Sequence, residues 1–141
     1  MNAAKWFAPL LAFSSLLVPP GLSGQARITA KPSPVEVWCG GDDGLTLGLR
    51  DATERAFKDS SDFPLATAKR RAVYKVLIPT HVGWERVGPR TKILYTIQVT
   101  RMNDKEIGTF KGSCWDSDFP MCGTQIVDST GTLLGAIKTP K

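Results

Sequence analysis

Hydrophobic and polar positions alternate most cleanly over Ile93, Tyr95, Ile97 and Val99, with Leu94, Thr96, Gln98 and Thr100 between them. A period of two puts the first set on one face of a strand and the second on the other, one apolar and one mixed. Asn103-Asp104 then turns the chain into Glu106–Ser113, which predicts an antiparallel hairpin. Upstream, Ala72, Tyr74, Val76 and Ile78 alternate in the same way. Pro79 marks a bend, and Thr80–Val87 is expected to continue that strand up to a Gly88-Pro89 turn. Val35–Cys39 reads as a first strand and Phe63–Thr67 as a short one, its proline suited to an edge.

Between those last two strands the period changes. Leu45, Leu49, Ala52 and Ala56 fall on one face of a 3.6-residue repeat, after a Gly40-Gly41-Asp42-Asp43-Gly44 turn in which Asp43 is the expected N-cap. The opposite face carries Arg50/Glu54, Asp51/Arg55 and Glu54/Lys58, opposite charges four residues apart. Near the C-terminus, Ile126, Val127, Thr130, Leu133, Leu134 and Ile137 follow a helical face better than an alternating one. Asp118 and Pro120 supply its start. The order is β-α-β-β-β-β-α. The fold class is α/β of the α+β type, with a single mixed or antiparallel sheet and two helices packed on one face.

The first residues have a different character. Lys5 precedes an apolar run, Trp6–Val18, and Pro19-Pro20-Gly21 and Gly24-Gln25-Ala26 follow it. The run is about a dozen residues, short of the roughly 20 that a bilayer-spanning helix needs. It reads as a secretory signal peptide over residues 1–26, followed by an extended lead-in at 27–34 and one domain at 35–141. The expected location is outside the cytoplasm: secreted, and periplasmic in a cell with two membranes. The formal charge of +5 falls to +4 without Lys5. That is mildly basic, unlike the dense charge of a nucleic-acid binder, and export also argues against nucleic acid as a partner.

Cys39, Cys114 and Cys122 form an odd set in a compartment that favours pairing. Of the three pairings, Cys114–Cys122 is the expected disulfide, closing a short loop through Trp115, Asp116 and Pro120. Cys39, after Trp38 at the end of an apolar strand, is read as a buried small hydrophobe, and Trp38 is assigned to the core. No two of the cysteines and His81 have metal-ligand spacing, so no metal and no cofactor is expected.

The short first strand ending in a glycine-acidic turn, the helix from Leu45 to Lys58, Phe63-Pro64-Leu65, the meander and the final helix resemble a group of small exported domains. These are related to the N-terminal domain of TolB and to the penicillin-binding-protein activator LpoB. The resemblance covers residues 35 to 138 and rests on element order. It implies binding to envelope proteins and transfers no individual residue.

Catalytic chemistry has little support. His81 is the single histidine, with Glu85 as a candidate orienting carboxylate, and no nucleophile is tied to it by a motif. Asp42 and Asp43 would repel phosphate, and Asp116 and Asp118 suit a helix cap better than a glycosidase pair. What remains is a surface. Lys69-Arg70-Arg71, Lys75, Arg90, Lys92, Arg101, Lys105 and Lys111 form the main basic grouping, and aromatic residues interleave with it. His81, Trp84, Arg86, Arg90 and Trp115 are the expected binding residues, since aromatics and arginine dominate protein interfaces. The sequence therefore predicts a non-enzymatic, exported binding or accessory protein of the cell envelope, with a protein as partner. An immunity protein against an envelope-acting toxin, a small hydrolase using His81, and binding of an anionic lipid or glycan are the rivals.

Overall fold

The computed structural model describes residues 32–138, so the expected signal peptide and most of the lead-in lie outside the described residues. The elements are β1 (Val35–Cys39), α1 (Gly44–Lys58), β2 (Tyr74–Ile78), β3 (Gly83–Val87), β4 (Arg90–Arg101), β5 (Glu106–Trp115) and α2 (Phe119–Lys138). A short 3-10 turn at Asp116–Asp118 precedes α2. Five strands make one mixed sheet: β1 lies parallel to β2, and all other pairs are antiparallel. This is the α+β architecture that the alternation and the two helical stripes predict.

The twelve-residue β4 organises the sheet. β5 pairs along one of its edges, from Lys92↔Trp115 to Thr100↔Glu106. On the other edge β2 and β3 lie end to end, β2 against Gln98–Arg101 and β3 against Arg90–Leu94. The sequence suggests one bent strand here, but the chain leaves the ladder at Pro79 and rejoins it at Gly83. Proline has no N–H to donate. In addition, Val82 N–H donates to Thr46 Oγ1 (3.0 Å), which pulls the linker onto α1. The expected strand at Phe63–Thr67 is reduced to a bridge between Leu65 and Val35. Residues 62–66 do run beside the edge of β1, bonded at Val35 N–H to Pro64 O (3.0 Å) and Ala66 N–H to Val35 O (2.8 Å). The chain then turns off at Thr67–Arg70.

Registered partners share a face, so Val35, Tyr74, Val76, Ile78, Ile93, Tyr95, Ile97, Val99 and Cys114 all point to the side the helices cover. They form the core with Leu49, Phe57, Cys122, Ile126 and Leu134. The buried stripe of α1 is Thr46, Leu49, Ala52, Thr53 and Phe57, rotated from the Leu45–Ala56 stripe expected from sequence. Its threonine hydroxyls are satisfied within the fold: Thr53 Oγ1 donates to Leu49 O at 2.7 Å, and Thr130 Oγ1 on α2 donates to Ile126 O at 2.7 Å. The helices cross so closely that a β-carbon at Gly123 would run into the Ala52 carbonyl oxygen.

Three side-chain expectations change. The charged face of α1 forms a neighbour pair, Arg50–Asp51 (2.9 Å), and the i,i+4 pairs are not among the ion pairs of the described residues. Trp38 is not in the core; it stands on the uncovered sheet face at 53% exposure, its indole N–H donating to Glu36 (3.0 Å). Residues alternate across a strand, and Trp38 has the opposite parity to buried Val35. Cys39 is half-buried rather than buried, its thiol donating to Gly41 O (3.4 Å).

Candidate functional site

The expected binding residues gather at the end of the sheet where β1 finishes and β4 begins, but they do not form one patch. His81 sits in the linker between β2 and β3. A β-carbon at Gly40 would collide with the Pro79 carbonyl oxygen, so glycine there lets the β1–α1 turn close against this linker. Asp43, the N-cap of α1, is the hub of the contact. Its carboxylate accepts from Thr46 N–H (3.1 Å) and Thr46 Oγ1 (2.6 Å), and His81 Nδ1 lies 2.5 Å away. The carboxylate that orients His81 is therefore Asp43; Glu85, the sequence candidate, faces Lys92 at 3.8 Å instead.

Hydrogen bonds from Thr46, then from His81, hold Asp43 well below the usual carboxylate range. The same bond, accepted by Asp43 and aided by the charges of Asp43 and Asp42, raises His81 above its ordinary 6.5. The signs follow from linkage. A raised histidine contributes stability below pH 6.5, and that contribution is lost as pH rises through its folded value. The depressed Asp43 contributes above its ordinary 3.8 and loses the contribution as pH falls through its folded value. The thermal midpoint is therefore expected to fall between pH 6 and 9 in the wild type and to change less in His81→Asn. An NMR titration of His81 should give a pKa above 6.5; a value at or below it would remove the contact.

His81 of this pair borders a cavity of about 430 Å³ in the gap between β2 and β3, lined by Thr80, Leu94, Tyr95, Thr96 and Lys111 among others. Tyr95 is raised by burial, and its hydroxyl donates to Gln125 (3.3 Å). A carboxylate–imidazole pair can move a proton, yet the hydroxyls of the lining residues Thr80, Tyr95 and Thr96 are not hydrogen-bonded to His81 side-chain nitrogens. Among the described residues no cluster of three or more His, Cys, Asp or Glu could hold a metal ion.

Trp84, Arg86 and Arg90 lie on the β3–β4 hairpin, and Trp115 ends β5. All five residues of β3 are exposed, Trp84 at 61%. Register separates their faces. Trp84 and Arg86 pair with Ile93 and Thr91 and share one side, where Arg86 donates to Thr91 Oγ1 (3.1 Å). Arg90 belongs to the other side, with Val87 and Lys92. There its guanidinium lies 3.8 Å from the centroid of the Trp115 ring, a cation–π contact across the β4–β5 pair. A disulfide joins Cys114 to Cys122, Cα atoms 5.5 Å apart, and fixes the end of β5 that carries Trp115 to the first turn of α2. The sequence reading missed Asp43 as the partner of His81 and Thr46 as the acceptor of the Val82 N–H. A polar cap three residues before a threonine was visible, but the approach of a linker 36 residues downstream was not.

No protein-family model matches the chain, and no curated protein matches it. Solved structures do. The fold is similar to protein XCC0632 from Xanthomonas campestris, of the family described as DUF330, at a TM-score of 0.56 and 12% identity over 77% of this chain and 90% of that one. It is also similar to a point variant of PelC from Paraburkholderia phytofirmans, a dodecamer, at a TM-score of 0.50 and 12% identity over 70% of this chain and 88% of that one. At such identities the likeness concerns the fold.

Proposed function

We propose that this chain is an exported accessory protein of the cell envelope that acts by binding another protein through its β3–β4 hairpin. The observation that carries the reading is the hairpin itself. It holds Trp84 and Val87 exposed on a strand whose single strand partner among the described residues is β4, beside an Arg90–Trp115 stack set in place by a disulfide. Large aromatics and arginine on a rigid element are what interface hot spots are made of. Export is supported by the N-terminal sequence pattern and by the disulfide, which persists in oxidising compartments. Among the described residues no helix is long and apolar enough to cross a membrane. The resemblance of the element order to the TolB N-terminal domain and LpoB, read from the sequence, supports envelope proteins as partners.

The test is capture from the envelope fraction of the host with a tagged chain, followed by affinity measurement on the partner found. Trp84→Ala with Arg90→Ala is expected to weaken that affinity by at least about tenfold, since single hot-spot truncations commonly exceed 1 kcal/mol. Unchanged affinity would remove the hairpin from the reading. The partner's identity separates an adaptor from an immunity protein.

Self-assembly is a second reading. PelC, to which the fold is similar, is a dodecamer, and β5 has no strand partner on its outer edge among the described residues. Light scattering on the purified chain decides it: a monomer across micromolar concentrations rules it out, and a discrete oligomer makes the open edge its first candidate contact.

A further inference from the structure

The opposite end of the domain has another character. β1 and β2 start there, β4 ends there, and α1, which must return between the parallel strands β1 and β2, finishes there. Lys58 at the end of α1 and Lys69 and Arg70 in the Thr67–Arg70 turn line a cleft of about 490 Å³. Pro64, Leu65 and Thr67 complete its lining, so no carboxylate is part of it. Arg71 follows Arg70 and is exposed, and Arg101 and Lys105 are exposed at the end of β4 and in the turn after it. Among the described residues the ion pairs are Arg50–Asp51, Lys75–Asp104, His81–Asp43 and Lys92–Glu85, and none takes in these six cations. The carboxylates at this end are Glu36, which accepts from the Trp38 indole N–H, Asp59, Asp62, Asp104 and Glu106. Asp104 is bound by Lys75 at 2.8 Å, and Glu106 accepts from Thr109 at 2.7 Å.

Two apolar side chains stand out among these charges: Val73 just before β2 and Met102 in the β4–β5 turn, 44% and 41% exposed. The other end of the sheet carries Asp42, Asp43, Glu85, Asp116 and Asp118 beside Arg86, Arg90 and Lys92, so carboxylates outnumber Lys and Arg there and Lys and Arg outnumber carboxylates here. The chain also enters the described domain at the basic end, where Ser33 N–H donates to Asp62 O (3.0 Å).

From these observations we infer that this end is a docking surface for an anionic lipid bilayer. The cations attract the headgroups, and Val73 and Met102 reach the interfacial layer. A bilayer suits the arrangement better than a compact anion does, because the cations spread over the turns before β2 and after β4 instead of converging on one point. The inference stands apart from the hairpin reading, which concerns the other end of the sheet.

The experiment is co-sedimentation of the protein, purified as its host processes it, with vesicles of phosphatidylcholine alone or with about a third phosphatidylglycerol, at low and raised ionic strength. Binding is expected on the anionic vesicles, at least about tenfold above the neutral ones, and should weaken steeply with salt. Lys69→Glu, Arg70→Glu and Arg71→Glu together should lower it about a hundredfold, given what each basic residue contributes near an anionic surface. Trp84→Ala with Arg90→Ala should leave it unchanged. Equal binding to both vesicles, no binding to either, or a triple variant that melts normally and binds like the wild type would each overturn the proposal.

Discussion

Phe57→Ala is expected to lower stability by about 3–5 kcal/mol, the range for truncating a fully buried phenylalanine. Phe57 has no solvent exposure and is the largest of the fully buried side chains. It sits in the last turn of α1, within a core cluster that joins Leu49, Ile97, Ile126 and Leu134. The alanine variant would leave a void that close-packed neighbours fill only in part. A domain of this size has on the order of 5–15 kcal/mol in total, so the variant should melt far below the wild type and be partly unfolded at growth temperature. Ala56→Ser, one position away and half-buried, should change the midpoint little. Urea unfolding of the two variants beside the wild type checks this; similar midpoints for both would mean that the stripe of α1 is misplaced.

That pair of variants also marks where sequence legibility ended. The helix, its N-cap and its limits were readable from period and capping chemistry, but its phase was not. The true stripe passes through Thr46 and Thr53, which count as polar in any hydropathy pattern. They are buried because their hydroxyls bond within the helix or to its cap, something a pattern of side-chain polarity does not encode. Trp38 fails in the opposite direction. A large aromatic in a strand looks like core, yet its parity, opposite to that of Val35, puts it on the open face. The break at Pro79 was visible as a bend, but its depth depends on the distant hydroxyl of Thr46 receiving the Val82 N–H.

The candidate surface was legible residue by residue and not as an arrangement. Trp84, Arg86, Arg90 and Trp115 stand out by composition; only the β3–β4 and β4–β5 registers reveal that Trp84 and Arg86 share one side while Arg90 and Trp115 share the other. Likewise the basic residues form one list in sequence and two groups in space. Lys69, Arg70, Arg71, Arg101 and Lys105 lie at the start of β2 and the end of β4, and Arg90 and Lys92 lie at the far end of β4. A strand that runs the length of the sheet separates charges that composition lumps together.

Removing the Cys114–Cys122 bond joins stability to this surface. Cys114→Ala with Cys122→Ala opens a loop with a sequence separation of 8. The chain-entropy relation for a loop of that length gives about 2.5 kcal/mol. For a domain of this size the midpoint should drop on the order of 10 °C. The bond holds the last residues of β5 against the start of α2 across the 3-10 turn, so its loss should also loosen Trp115 and the Arg90 guanidinium stacked on it. Partner affinity should then weaken even where the fold persists, and Trp115 fluorescence should become easier to quench. The same shift should follow reduction of the wild type, and a chain made in a reducing compartment should match the double variant. Native alkylation offers the control: Cys39 is the free thiol, so the oxidised protein should take up a single label. Identical melting of oxidised and reduced protein would show that the core alone secures this corner, and that Trp115 owes its position to packing rather than to the bond.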